Sequence, residues 1–188
     1  MSEIIISRAG FSDRAFIRSV SERTWPSTYG HIISHEQIDF MLEWMYSDTS
    51  LANQMETGCE FYIASIQDEN GQFNPVGFCS VSPEQEEEEK EKEMEAKEEE
   101  KKKNSKAFKL NKLYVLPAAQ GSGAGKALLN KAIQVAKEAG AASLFLQVNK
   151  QNTAYTFYLK NGFIKEADFK FDIGNGFYMD DYVMRLHF

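Results

Sequence analysis

The spacing of apolar and polar positions predicts one strand and then helices in the first third of the chain. Glu3 to Arg8 is rich in β-branched residues and indicates a strand, and Ser12 is placed to cap a helix running to about Arg23. Ser34 and Gln37 have capping-box spacing ahead of a segment whose apolar residues recur every three or four positions. A second, amphipathic helix is expected there, followed by a short third helix from Leu51 to Glu56.

The middle of the chain predicts a hairpin and then a strand that leads into a helix. The segments EFYIASIQ and VGFCSVS flank a turn in which Asn70-Gly71 is expected to supply the positive φ angles. AFKLNKLYVL predicts a strand that Pro117 stops. The stretch QGSGAGK then opens an amphipathic helix to about Ala139, which Gly140 closes.

The last third predicts a buried strand, a short helix and a closing hairpin. SLFLQVN lacks clean alternation, as expected of a strand covered on both faces, and Asn152 can cap a helix that ends at Gly162. The segments from Phe163 to Ile173 and from Phe177 to Leu186 flank Gly-Asn-Gly. The resulting order, β-α-α-β-β-β-α-β-α-β-β with a short extra helix, predicts one α/β domain with a mixed sheet.

Composition narrows the class of protein. The chain has 188 residues, 43% of them hydrophobic, which suits one domain with a proper core. A net charge of −7 gives no support to nucleic-acid binding, which favours a basic face. Cys59 and Cys79 lack metal-site spacing and are expected to be free thiols. The N-terminus has no apolar run typical of a signal peptide or membrane span, so the sequence predicts a soluble, cytoplasmic protein.

A run of glutamate and lysine interrupts the pattern at about residues 84–106. Eleven Glu and six Lys lie between Glu84 and Lys103, so this segment carries most of the net charge. Several pairs, such as Glu86–Lys90 and Glu99–Lys103, have the i, i+4 spacing that supports a solvated helix. The segment has almost no apolar residue with which to dock, so a disordered loop is the alternative. Either way it is expected to be an insertion between two strands.

The glycine-rich stretch QGSGAGK predicts an anion site whose ligand has to be identified. A Walker A loop needs glycine where Gln120 stands and Ser or Thr where Ala127 stands, and the dinucleotide fingerprint needs glycine where Lys126 stands. Both nucleotide readings therefore fail. A strand leading through glycines into a helix still offers free amides and a favourable helix dipole to an anion. The alternative is a tight turn that needs glycine for its φ angles alone.

A second motif, VNKQNTAYTFYLKNGF, follows one helix and one strand later. LYVLP before the glycine loop, Gln120-x-x-Gly123-x-Gly125 within it, and Asn152, Phe157-Tyr158 and Gly162-Phe163 after it together resemble the GNAT superfamily of acetyl-CoA-dependent N-acetyltransferases. The resemblance implies a single GNAT-like domain with a mixed, mostly antiparallel sheet of about seven strands flanked by helices. It implies acetyl-CoA as the acyl donor and no metal.

The resemblance also assigns residues to the cofactor. Loop amides would hold the pyrophosphate, the strand before the loop would pair with the pantetheine arm, and Asn152 would hydrogen-bond that arm. The residues so implied are Leu113, Tyr114, Val115, Gln120, Gly121, Ser122, Gly123, Ala124, Gly125, Lys126, Asn152 and Tyr158.

Amide formation requires an oxyanion donor, an acid for the leaving thiolate and a neutral amine. By resemblance, the Val115 amide is the oxyanion donor and Tyr158 is the general acid. The alternative for Tyr158 is an aromatic residue that only packs against the cofactor. The base remains open, because Lys109, Asn111 and Lys112 stand on the strand where many relatives carry a glutamate. Ordered water is one alternative, and the candidate side chains are Glu36, Glu43, Asp180 and Asp181.

The acceptor is predicted to be a primary amine. Residues 22–42 and 171–184 look like the bacterial spermidine/spermine branch of the superfamily, which implies aromatic faces at Trp25, Tyr29 and Tyr178 and charge partners at Asp180 and Asp181. Trp25 and Tyr29 could equally belong to the core. A peptide N-terminus or another small amine is the alternative acceptor, and an acetyl-CoA-binding module without turnover is the alternative function. A role of the charged insertion in recruiting polyamines is a further hypothesis, and a homodimer is left open.

Overall fold

The described strands form one sheet, and strands and helices follow one another along the chain in the predicted order. The computed structural model describes residues 2–84 and 106–188. Within these ranges the strands are β1 Ile4–Arg8, β2 Glu60–Gln67, β3 Phe73–Pro83, β4 Ala107–Val115, β5 Ser143–Asn149, β6 Ile164–Gly174 and β7 Phe177–His187. They lie in the order β1-β2-β3-β4-β5-β7-β6, and every pair is antiparallel except β4 with β5. The predicted mixed, mostly antiparallel sheet of a single α/β domain is confirmed.

Helices cover both faces of the sheet and form two cores. The helices of the described ranges are α1 Arg14–Tyr29, α2 His35–Tyr46, α3 Asp48–Glu56, α4 Ala124–Glu138 and α5 Ala154–Lys160. On one face α4 and α5 pack on the sheet through residues such as Leu128, Leu129 and Tyr158. On the other face α1, α2 and α3 enclose an aromatic core that includes Trp25 and Tyr46. We call these the α4 face and the α1 face.

The first helix differs from its prediction at both ends. Ser12 lies in a 3-10 turn, Phe11–Asp13, and does not cap the helix; there the Gly10 amide donates to the Asp13 carboxylate at 2.8 Å. The helix then continues through Pro26 to Tyr29, six residues beyond the predicted end at Arg23. Proline removes one helical hydrogen bond. Burial of Trp25 and the ring contact of Trp25 with Tyr29, at 4.6 Å between centroids, hold the final turn.

Two turns use different residues from those predicted. The third helix begins at Asp48 rather than Leu51, because the Ser47 hydroxyl accepts from the Ser50 amide at 3.3 Å and caps it. In the first hairpin only Gly71 has a positive φ, +81°, so Asn70 does not share that role. The Asp68 carboxylate closes the turn by accepting from the amides of Asn70 and Gln72, both at 2.9 Å.

The predicted charged insertion lies outside the described residues, except for its two ends. At that point β3 and β4 are still paired, since the Glu84 amide donates to the Ala107 carbonyl at 2.9 Å. The insertion therefore leaves and re-enters the sheet between two adjacent antiparallel strands.

The parallel pair β4 and β5 separates along its length, and this creates the main cleft. The two strands are paired only from Ala107–Ser143 to Lys109–Phe145. Past that point β4 carries a bulge at Asn111, which has no partner between the pairs Ser80–Lys112 and Val81–Leu110. Bulges bend the strand that contains them, so β4 turns away from β5 and leaves backbone groups of both strands without a strand partner.

Candidate active site

The cleft between β4 and β5 holds a cavity of about 760 Å³. Most of the residues assigned to the cofactor line it, together with Thr24, Tyr29 and His31 from the α1 side. The assigned residues that line it are Leu113, Tyr114, Val115, Gln120, Gly121, Gly123, Gly125, Lys126, Asn152 and Tyr158. Ser122 and Ala124 do not line the cavity, because Ser122 faces solvent and Ala124 is fully buried under the loop.

The glycine loop presents free amides to this cavity. The amides of Gln120 and Ser122 are used within the loop, where they donate to the carbonyls of Pro117 and Ala119 at 3.2 and 3.3 Å. The first helical bond of α4 runs from Ala127 to Gly123, so the amides of Gly125 and Lys126 have no partner in the helix. The helix N-terminus therefore offers donors and a positive dipole end at one end of the cleft.

Backbone geometry explains why glycines stand in this loop. Gly121 and Gly123 have φ angles of +80° and +96°, which residues with a side chain rarely adopt. Gln120 steadies the loop from the other side, since its side-chain amide donates to the Val115 carbonyl at 3.3 Å. Lys126, in the first turn of α4, donates to the side-chain carbonyl of Asn161.

The Val115 amide points into the gap between the strands. The Leu116 amide donates to the Val76 carbonyl on β3 at 2.8 Å, and the backbone groups of successive strand residues point to opposite sides. The amides of Val115 and Leu113 therefore face the cleft, where β5 no longer pairs with them. This is the direction that an oxyanion donor or a backbone partner for an extended ligand would need.

Tyr158 stands on α5 with its ring buried against Phe157 and Phe163. Within the described residues its hydroxyl has no hydrogen-bond partner, and the residue lines the cavity. Burial raises the pKa of Tyr158 well above its ordinary value, and the nearby Tyr29 adds to this. The phenol is therefore neutral at physiological pH and able to donate a proton.

Asn152 has a structural role that leaves part of its side chain free. Its side-chain oxygen accepts from the Ala154 amide at 2.9 Å, next to the start of α5, whose N-cap residue is Thr153 rather than the predicted Asn152. Its side-chain NH₂ group is not used in that bond. Since Asn152 lines the cavity, this NH₂ group can serve a ligand.

On the α1 face, tyrosine hydroxyls meet at the wall of the cleft. Tyr29 and Tyr114 share a hydrogen bond of 3.0 Å, and both line the cavity. Burial raises the pKa of each phenol, so both are neutral. Trp25 is 3% exposed, lies behind them and does not line the cavity, so it belongs to the core. Tyr29, by contrast, lines the cleft.

Strand alternation separates the three residues predicted on the last hairpin. Asp181 pairs with Asn149, and its side chain points to the α1 face. Tyr178 and Asp180 point the opposite way. Asp180 forms an ion pair of 2.8 Å with Lys150, and the Tyr178 ring lies 5.2 Å from the Lys170 ammonium.

Position also distinguishes the four candidate bases, Glu36, Glu43, Asp180 and Asp181. Glu43 is paired with Arg18 on the outer side of the helices at 3.2 Å, and Glu36 is exposed in the first turn of α2. Asp181 is 3% exposed. Its burial, and to a lesser extent Asp180, raises the pKa of Asp181 to about 6, against the opposing effect of Lys109 and Lys150.

Two polar residues near the cleft, Gln147 and Lys112, were not predicted from the sequence as part of the site. Gln147 lines the cavity and accepts from the Lys109 ammonium at 2.9 Å, and Lys112 is buried with its ammonium 2.7 Å from the Gln54 side-chain oxygen. Gln147 could have been found from SLFLQVN, where Phe145 and Gln147 alternate with two leucines and a valine. Nothing in the pattern of β4 indicated that Lys112 would be buried.

Comparison with known proteins identifies the family. The sequence profile of the acetyltransferase (GNAT) family matches residues 17–163, and the chain belongs to that family. An N-acetyltransferase of unassigned function from Mycobacterium bovis is 40% identical over 77 residues, which are 40% of this chain and 49% of the relative. The ribosomal protein bS18 alanine N-acetyltransferase of Haemophilus influenzae is 43% identical over 61 residues, 32% of this chain and 41% of the relative. The chain thus spans about half the length of the curated relatives it matches, or less.

Solved structures share the fold across the whole chain. The PaiA N-acetyltransferase of Thermoplasma acidophilum, solved in complex with coenzyme A, superposes with a TM-score of 0.70 at 24% identity and covers 99% of both chains. At this identity the likeness concerns the fold alone. Among the described residues no helix has the length and apolar character needed to cross a membrane, and no group of three or more His, Cys, Asp or Glu is arranged to hold a metal ion.

Proposed function

We propose that the protein is an acetyl-CoA-dependent N-acetyltransferase that acts on a primary amine. The observation that carries the proposal is the gap between β4 and β5, with free amides from the helix N-terminus at one end and from a strand edge along one wall. An extended ligand with a diphosphate at one end fits such a cleft, because the amides can bind the anion and the strand edge can pair with an amide-containing arm.

The loop and strand divide the binding of acetyl-CoA between them. The amides of Gly125 and Lys126 are the donors for the diphosphate, and the glycines let the backbone approach it closely. The strand edge at Leu113 and Val115 and the NH₂ group of Asn152 are placed to bind the pantetheine arm. Binding of coenzyme A by the PaiA relative supports this assignment.

Three groups of the cleft match the needs of acetyl transfer. The Val115 amide can stabilise the oxyanion, and the neutral Tyr158 phenol can protonate the departing sulfur. The hydroxyl pair of Tyr29 and Tyr114 forms the wall on the side from which an acceptor would approach. The acceptor must reach the carbonyl as a neutral amine, so its ammonium form must first lose a proton.

Two finer acceptor classes have different support. The polyamine hypothesis needs both Asp180 and Asp181 as charge partners for the ligand. The two side chains point to opposite faces of the sheet, so only one of them faces the cleft, which weakens this hypothesis. A protein N-terminus is the second candidate, and the bS18 alanine N-acetyltransferase relative favours it.

The test combines a binding measurement with a turnover measurement. Isothermal titration calorimetry with acetyl-CoA is expected to show one site per chain, and release of free thiol is expected to rise when a suitable amine is added. The panel should include 2-phenylethylamine, spermidine and a peptide with a free N-terminus. Failure to bind acetyl-CoA would refute the proposal, whereas binding without thiol release with any amine or peptide would indicate a binding module.

A further inference from the structure

The carboxylate of Asp181 is buried and has no bonding partner among the described residues. Among the described residues it forms no hydrogen bond or ion pair, although the residue is only 3% exposed. Its oxygens are not among the fully enclosed unpartnered polar atoms, which are Arg14 Nε, Trp25 Nε1, Tyr46 Oη and Ser80 Oγ. A buried charge normally has a partner, so this one indicates a place for a cationic ligand.

The nearest charged groups are already engaged elsewhere. The Lys109 ammonium is bonded to Gln147 at 2.9 Å, and Asp180 is paired with Lys150 on the other face of the sheet. Lys109 remains close enough to lower the pKa of Asp181. It would also repel a second positive charge on a ligand that Asp181 had bound.

An aromatic wall flanks Asp181 on the same face of the sheet. Phe169 on β6 stands directly opposite Asp181, and Phe171 stands opposite Met179. The two rings are stacked, with centroids 5.9 Å apart and planes at 15°, and Phe171 is 49% exposed. One half-buried and one exposed aromatic ring beside a buried carboxylate suit a ligand that carries a cation next to an apolar group.

We propose that Asp181 binds the acceptor as an ammonium ion and takes up its proton, while Phe169 and Phe171 hold an apolar or aromatic substituent of the same molecule. The acceptor class is then a primary monoamine with one bulky apolar group, such as 2-phenylethylamine. This inference rests on the proposed acetyltransferase function and names its substrate class.

The proton and bond changes balance without any further reagent. The ammonium proton passes to the Asp181 carboxylate and from there to water. The neutral nitrogen then forms the new bond to the acetyl carbon while the carbon–sulfur bond breaks. Tyr158 gives its proton to the departing sulfur and is reprotonated by the second proton that the nitrogen loses. The products are the N-acetylated amine and the free thiol of coenzyme A.

The groups around Asp181 determine the expected pH dependence. Tyr29 faces it from α1 and Lys109 from β4, while Asp180 and Lys150 act from the neighbouring positions. The β6 residues beside it on this face, Phe169 and Phe171, are apolar. Because Asp181 must be ionised to accept a proton, kcat/KM should fall as the pH is lowered through about 6. His31 lines the cavity, which Asp181 does not, and it is exposed, so the contributions of the two side chains are separated by mutation.

The decisive experiment compares Asp181→Asn with the matched control Asp180→Asn. With 2-phenylethylamine at pH 7.5, D181N should lower kcat/KM about 100-fold and remove the acidic limb of the pH profile, whereas D180N should change it by about twofold or less. Acetyl-CoA affinity, measured by calorimetry, should stay the same in both. An acidic limb that persists in D181N but disappears in His31→Gln would assign proton uptake to His31 and overturn the inference.

The aromatic wall is tested separately. Phe171→Ala should raise KM for 2-phenylethylamine about tenfold and leave kcat little changed, while Ile164→Ala, exposed at the other end of β6, should have no effect. A wild-type enzyme that prefers spermidine or the peptide over 2-phenylethylamine would overturn the substrate class alone. Failure to bind acetyl-CoA would instead refute the acetyltransferase function itself, so the two failures are distinguishable.

Discussion

Single residues carry much of the unusual chemistry of this domain, and Lys112 is an example outside the reaction itself. It is 6% exposed among the aromatic residues of the α1 face, with Gln54 as its hydrogen-bond partner and the Tyr46 ring 5.4 Å from its ammonium. Burial lowers the pKa of Lys112 to about 8, against a smaller raising effect of Cys59. A lysine that is harder to protonate in the folded state than in the unfolded state makes stability depend on pH.

The lowered pKa of Lys112 determines the direction in which stability changes with pH. Below pH 8 the lysine is charged in both states, and the folded state bears the cost of burying the charge. As the pH rises from 8 towards the unfolded pKa of about 10.4, the folded state loses the proton first and gains stability. We expect the stability of the wild type relative to Lys112→Met to improve between pH 7 and pH 10, as measured by urea unfolding. A difference that does not change over this range would contradict the depressed pKa.

Tyr158 is the residue for which chemistry and packing can be separated most cleanly. Tyr158→Phe keeps the ring that contacts Phe157 and Phe163 but removes the hydroxyl. We expect kcat to fall about 100-fold, since general acid catalysis contributes about 10²–10⁴-fold, with little change in acetyl-CoA affinity. Steady-state kinetics and calorimetry on the same preparation test this. Unchanged turnover across the pH range would show that Tyr158 only packs the cofactor.

At the scale of elements, β3 approaches the end of β4 closely at Gly77. A Cβ atom at this position would lie 2.6 Å from the Tyr114 carbonyl oxygen and 3.0 Å from Val115. The contact is with backbone in the middle of a sheet, so it cannot be relieved by rotating a side chain. Gly77→Ala should therefore force β3 and β4 apart and destabilise the fold by about 2 kcal/mol.

Gly10 provides the control for that prediction. A Cβ atom at Gly10 would meet no atom within 4 Å, and the residue has no positive φ. Urea unfolding of Gly77→Ala and Gly10→Ala should show a large loss for the first and almost none for the second. Equal stability of the two variants would mean that the sheet can absorb the extra methyl group.

The elements also show what the sequence could and could not predict. The order of strands and helices along the chain and the glycine loop were predictable, because turns and periodicity are local properties. The sequence could not predict whether Trp25 belongs to the core or to the cleft, because a buried aromatic residue suits either place. The orientations of Asp180 and Asp181 follow from the register of β7, which depends on distant strands: a shift of one residue would exchange the faces of the two carboxylates.

At the scale of the whole molecule, the two ends of the charged insertion lie next to each other on the sheet. They meet at the paired ends of β3 and β4, where the Glu84 amide reaches the Ala107 carbonyl. A hairpin turn can close such a pair of antiparallel strands. We expect a variant in which a short Asn-Gly turn replaces residues 85–105 to fold with a Tm within a few degrees of the wild type. Its acceptor profile should also be unchanged, and loss of spermidine turnover in this variant alone would support the polyamine-recruiting role.

The gap between β4 and β5 has a consequence for the exchange of amide hydrogens with solvent. Leu113 and Val115 lie in the centre of a large sheet, yet their amides face the gap and lack a strand partner. They should exchange with deuterium much faster than the Leu116 amide, which is bonded to β3. Acetyl-CoA bound along β4 would close these amides off, so their exchange should slow when the ligand is added. Two amides in the middle of the sheet would then report occupancy of the cleft directly, before any acceptor is known.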